Sequence, residues 1–183
     1  QSGERLDADE CAGLYDLDLF TLGKFANAKR RKLHGKKVFF NVNRHINPTN
    51  VCADVCKFCA FSANRKNPNP YTMSHEEILK IVEKSVASGA KEIHIVSAHN
   101  PDTSWQWYLE IFKKIKEKYP QIHVKALTAA EVDFLSRKHG LSYEEVVEKM
   151  LEYGVDSMPG GGAEIFDEEV RRKICKGKVS SEN

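Results

Sequence analysis

The chain has 183 residues, 41% hydrophobic and 30% charged, with a net charge of +2. That length supports one domain with a sizeable core, and so balanced a charge does not mark a nucleic-acid or membrane-surface binder. No apolar run approaches a membrane span and no signal-peptide pattern opens the chain; three of the five cysteines fall within eight positions, which excludes a disulfide framework and predicts a reducing, cytoplasmic setting.

Residues 8–33 predict a helix, with Leu14, Leu17, Leu22, Phe25, Ala26 and Leu33 as an irregular apolar stripe. The basic cluster "AKRRKLHGKK", 28–37, reads as the cationic last turn of that helix, with Gly35 as its stop. It lacks the interleaved aromatics of a nucleic-acid patch. From Val38 the period changes to two. Val38, Phe40, Val42 and Ile46 share one face, while Phe39, Asn41, Asn43 and His45 share the other, predicting a strand with one mostly polar side. The stretch 47–73 that follows is long for a loop between a strand and a helix, and long ordered loops are usually functional.

Ser74 with Glu77 forms a capping box for a helix that ends at Gly89, and "KEIHIVSA", 91–98, is a second strand. Ser104 caps a helix ended by Pro120, and "QIHVKALTA", 121–129, is a third strand followed by a short helix over 131–138. Ser142 and Glu145 form a second capping box for a helix ended by Gly154. The segment "VDSMPGGGAEIF", 155–166, predicts a short fourth strand and a glycine turn into another helix.

Four strand–helix repeats predict an α/β fold with right-handed crossovers, a parallel (β/α) barrel or partial TIM barrel limited to its first four βα units. The polar face of the first strand fits a barrel lumen better than a doubly wound sheet, which buries both faces. Residues 1–37 read as an N-terminal helical segment and 38–183 as the first part of the barrel domain. The start at Gln1 and the stop at "KVSSEN" predict a fragment of a longer polypeptide. The open sheet edge after strand four predicts association with the missing part or a second copy, a homo-oligomer.

The chemistry concentrates in "VCADVCKFCAF", 51–61, where Cys52, Cys56 and Cys59 follow C-x3-C-x2-C spacing on the first βα loop. In a parallel barrel such loops form the active-site mouth. A closed zinc site and an ordinary iron–sulfur cluster each want four protein ligands, so three cysteines suggest a metal centre with one open position. The alternative is a zinc-stabilised binding module with a histidine such as His45 as the fourth ligand.

Cys52, Cys56, Phe58 and Cys59 together resemble the cluster motif of the radical S-adenosylmethionine superfamily. The resemblance implies that the three thiolates hold a 4Fe–4S cluster, with S-adenosylmethionine on the fourth iron and Phe58 beside the cofactor. Many members carry a Gly-Gly pair after strand two that meets the cofactor; here Ser97 and Ala98 stand there, where close backbone approach is less free. "NRHINPTNVCADVCKFCAF", "VKALTAAEV" and "SMPGGGAEIFDEEVRRKI" further resemble the aminofutalosine synthases of the futalosine route to menaquinone. That resemblance implies a transferase joining the adenosyl group of S-adenosylmethionine to the small molecule 3-[(1-carboxyvinyl)oxy]benzoate, with an external electron donor and no nucleic acid or membrane insertion. The related cyclase of the same pathway shares the cluster motif and a similar glycine turn.

Other residues carry two readings each. His45 and Asn43 bond substrate or cofactor, or fill a polar lumen layer. Lys125 pairs with a substrate carboxylate, or snorkels to solvent; His94 reads as a packed polar residue. Glu131 bonds the cofactor's ribose, or is a first-turn acid favoured by the helix dipole. Gly160, Gly161 and Gly162 form an anion-binding nest, with Glu164 as an acceptor beside it, or only a tight turn.

Overall fold

The computed structural model describes residues 4–63, 68–162 and 164–182, so residues 64–67 of the long loop and Ala163 of the glycine turn lie outside the description. The chain divides between Phe40 and Asn41 into two compact units. In the first, α1 (Ala8–Gly13) opens on a capping box of Asp7 and Glu10, a 3-10 turn follows at Leu14–Asp16, and α2 is Leu19–His34. The continuous helix expected over 8–33 is therefore interrupted. Asp18 is the reason: its carboxylate accepts the amides of Phe20 and Thr21, capping a new helix start. Gly35, at φ 60°, ends α2 behind Arg31, Lys32 and His34 in the last turn.

The second unit carries a parallel sheet. β1 (Asn43–Ile46) is followed by the two-residue β2 (Val55–Cys56), then α3 (His75–Ala87), β3 (Glu92–Ile95), α4 (Trp105–Lys118) and β4 (His123–Ala126). α5 (Ala129–His139), α6 (Tyr143–Glu152), α7 (Glu168–Ile174) and β5 (Cys175–Lys176) complete it. The sheet runs β1-β3-β4 with all pairs parallel. The strand predicted from Val38 thus begins only at Asn43, and Val38, Phe39 and Phe40 are exposed. Alternation alone does not make a strand; ladder partners do, and β3 begins opposite Asn43. The predicted fourth strand is reduced to a single parallel bridge between Lys125 and Ser157.

Register explains the two faces. Asn43, Glu92 and His123 stand in one cross-strand row, and His45, His94 and Lys125 in the next, all on one face. The other face buries Ile46, Ile93, Ile95, Val124 and Ala126 beneath the helices. α4 supplies Ile111, Phe112 and Ile115 to this core, and α3 supplies Ile78 and Val82. Both predicted capping boxes are present, Ser74 with Glu77 and Ser142 with Glu145, and Ser104 caps α4 through the Trp107 amide. Gly154 must be glycine: its φ is +94°, and an added Cβ would lie 2.4 Å from Lys116 Cγ. Among the described residues no helix is long and apolar enough to cross a membrane.

Because Phe112 is fully buried between sheet and helices, Phe112→Ala is expected to destabilise the fold by about 3–5 kcal/mol, read by urea denaturation.

Candidate active site

Strand ends and loops build one cavity of about 300 Å³ at the C-terminal edge of the sheet. Cys52, Cys56 and Cys59 line it with Phe58, Ser97, Ala98 and Glu131. Gly162 and Glu164 line it too, so nine of the candidate residues named from the sequence meet in one place. Gly160 and Gly161 are not among the lining residues, whereas their neighbour Gly162 is. Lys125 and His45 lie on the polar face of the sheet, outside the lining. There Lys125 forms an ion pair with the buried Glu92 at 3.2 Å, and His45 stacks on His94 with ring centroids 4.6 Å apart.

The cysteine loop is fastened from two sides. Ala53 donates its amide to the His99 carbonyl at 2.8 Å, and Asp54 Oδ2 lies 2.7 Å from His99 Nδ1, both side chains being nearly buried. The His99 ring in turn stacks on Phe134. On the opposite side β2 pairs antiparallel with β5, and Lys57 donates to the Ile174 carbonyl at 2.6 Å. The descending half of the loop is anchored at its root by Thr49 and Asn50. Thr49 Oγ1 donates to the Tyr71 carbonyl, Asn50 Oδ1 accepts the Tyr71 amide, and Asn100 Nδ2 donates to Thr49 Oγ1. Asp54 and His99 also line the cavity, and sequence alone did not single them out, for their pairing joins two distant loops.

The sulfur environments differ. Burial pushes Cys56 up to about 11 and raises Cys52, whose sulfur nevertheless meets the His99 and Asp54 amides. Burial acts on Cys59 too, but the Ser62 amide, 3.4 Å from its sulfur, the Phe61 amide and the Lys178 charge together leave it below the ordinary thiol value. Amide donors and a nearby cation are what an anionic sulfur requires.

Cys52, Cys56 and Cys59 are three soft sulfur donors on one loop that open into a common cavity, and their chemistry fits a 4Fe–4S cluster in which each thiolate binds a different iron.

Glu131 bridges two loops. Its Oε2 accepts the Thr128 amide and its Oε1 the Ser97 amide, both at 2.7 Å, so it caps α5 and also fixes the turn after β3. Burial raises its carboxyl to about 7, against the opposing pull of the Thr128 and Ser97 amides. The Ala98 amide is engaged by the Thr49 carbonyl. Gly162 closes the far wall: its φ is +95°, and a Cβ there would lie 2.8 Å from Ala130 Cβ. Arg171, only 3% exposed, secures this wall by donating to the carbonyls of Gly162, Ile165 and Val179. Its place in "DEEVRRKI" reads only as a cation near a helix end, so its role was not legible.

A parallel α/β sheet with a three-cysteine loop at its mouth defines the class. The Radical SAM superfamily matches residues 46–183, and the chain belongs to that superfamily. It is 39% identical over 98% of its length to an aminodeoxyfutalosine synthase of Thermus thermophilus, covering 49% of that protein. It is 36% identical over 91% of its length to a 5-amino-6-(D-ribitylamino)uracil–L-tyrosine 4-hydroxyphenyl transferase of Methanopyrus kandleri, covering 45% of it. A cyclic dehypoxanthine futalosine synthase of Halalkalibacterium halodurans is 35% identical over 99% of this chain, which covers 50% of it. The crystal structure of methylornithine synthase matches 98% of the chain and 50% of its own with a TM-score of 0.75 at 20% identity, which shows the fold. The chain spans about half the length of the curated relatives it matches.

Glu131 also gives the site a pH signature. A carboxyl raised in the folded state stabilises while protonated, fully below its unfolded value near 4.5, and this is lost as pH climbs through about 7. Wild type is therefore expected to lose stability relative to Glu131→Gln between about pH 5 and about pH 8, measured by urea denaturation at each pH.

Proposed function

We propose that this chain is the cluster- and cofactor-binding part of an aminofutalosine synthase, which joins the adenosyl group of S-adenosylmethionine to 3-[(1-carboxyvinyl)oxy]benzoate. The observation that carries the radical reading is the gathering of Cys52, Cys56 and Cys59 with Ser97, Ala98 and Glu131 around one cavity. Similarity to the Thermus synthase over nearly the whole chain supports the particular reaction.

When bound, a 4Fe–4S cluster with an open iron supplies one electron from an external donor for reductive cleavage of the sulfonium. Cys52, Cys56 and Cys59 would hold its other irons, and the amides of His99, Asp54 and Ser62 fix two of those sulfurs. Phe58 gives the cavity an apolar side beside the cysteines. Glu131, by holding the Ser97 amide, sets the turn on which the cofactor rests. Gly162 brings its backbone close where a side chain would intrude, with Gly160 and Gly161 leading into that turn. Lys125 and His45, on the polar face below, orient the acceptor's carboxylate against the reacting carbon. Homo-oligomerisation through the open sheet edge and a cytoplasmic setting belong to the same reading.

The second reading is the cyclase, favoured by the similarity to the Halalkalibacterium protein. The cysteines serve both alike; the fate of the adenosyl group separates them. Full-length protein given isotopically labelled S-adenosylmethionine and the enolpyruvyl benzoate is expected to move label into one adduct, read by mass spectrometry. Stoichiometric 5′-deoxyadenosine with no labelled adduct contradicts the synthase reading and leaves the superfamily intact.

A further inference from the structure

Lys178 is a cation in an unusual place. Its side chain is only 13% exposed, and among the described residues lining the cysteine cavity it is the one lysine or arginine. Burying an ammonium is costly unless a partner or a function requires it. The partner is Glu164, whose Oε1 accepts from Lys178 Nζ. Glu164 itself holds φ 36°, a left-handed conformation that is uncommon outside glycine and is tolerated where surrounding structure imposes it. The pair is partly exposed, 13% for the lysine side chain and 29% for the glutamate, and such pairs add little to stability, so fold stability alone does not account for this arrangement.

The segment that carries Lys178 is built into place. β5 pairs Cys175 with Cys56 and Lys176 with Val55, directly on the ligand loop. The chain then turns at Gly177, φ +95°, where a Cβ would lie 3.3 Å from Asp54 Oδ1. Lys178 donates its amide to the Cys175 carbonyl, the Val179 carbonyl accepts from Arg171 Nε at 2.7 Å, and Ser181 donates to Glu168. The ladder that braces the cysteines therefore also delivers the ammonium.

We infer that Lys178 is an electrostatic positioning residue for the iron–sulfur centre: held on the β2–β5 ladder, it balances the three thiolates and eases one-electron reduction, with Glu164 moderating that effect. The inference rests on the cluster reading above. Three thiolates leave an anionic centre, and a cation lining the same cavity stabilises the added electron while an acid opposes it. The electron comes from an external reductant, and no bond is made or broken.

The test loads full-length protein and its K178M, K178R and E164Q variants anaerobically with iron and sulfide. Iron content is measured, and the midpoint potential is read by dithionite titration without S-adenosylmethionine. Iron content is expected to be the same in all four. K178M is expected to shift negative by at least about tenfold in the reduction equilibrium constant, about 59 mV for one electron, while K178R stays within about threefold of wild type. E164Q is expected to shift the other way, to a more positive potential. Opposite signs are the mark of charge; shifts of the same sign in K178M and E164Q, or none, overturn the inference. If K178M fails to fold, E164Q decides, and the absence of its positive shift overturns the inference. Wild type that takes up no iron overturns the cluster reading and this inference with it, whereas iron uptake with unmoved potentials overturns this inference alone.

Discussion

Everything at the mouth of this sheet depends on holding three thiols open on a single loop. Three cysteines do not by themselves complete a four-ligand mononuclear site, and the loop's shape is set by other bonds. Two clamps do so. On one side the His99 carbonyl takes the Ala53 amide and the His99 ring meets Asp54. On the other, β5 lies along β2 and ties the loop to α7. Each clamp originates in a different part of the chain, so the ligand geometry reports the correct packing of the whole second unit.

The clamps share partners with the cavity walls. The loop after β3 supplies His99 to the cysteines and Ser97 to Glu131, so one turn couples the ligand loop to the start of α5. Arg171 binds the carbonyl of Gly162 on the wall and that of Val179 beyond the ladder. Buried polar groups in such a network stabilise only when all are satisfied, which makes the region sensitive to single substitutions. Leu127, fully buried at φ 59°, marks the same strain at the end of β4, where the chain must turn sharply into α5.

Much of this was legible in the sequence wherever the signal is local. The Ser74–Glu77 and Ser142–Glu145 spacings announce helix starts because capping acts across three residues. Thr128–Glu131 has the same spacing but sits at the end of a β-rich run, so the helix start at Ala129 was read as strand. The polar face of β1 pointed to a lumen, and the register places it beside Glu92, His94 and Lys125. The extra strand length from Val38 was not real, because alternation is a local property and a ladder partner is not. The cysteine site could be expected from the loop's place after the first strand together with the family resemblance of its motif. Its Asp54–His99 clamp, the Gly162–Ala130 contact and the Lys178 cation could not, for each joins segments far apart in the chain.

The open coordination position implied by three cysteines is the feature on which the chemistry of this site depends. Its most direct measurement is electron–nuclear double resonance on the reconstituted, reduced full-length protein, with S-adenosylmethionine labelled with nitrogen-15 at its amino group. The account predicts an S = 1/2 4Fe–4S signal with hyperfine coupling to that nitrogen, and loss of the signal in Cys56→Ala. A cluster showing no coupling to the label, or a protein that retains zinc in place of iron, would contradict it.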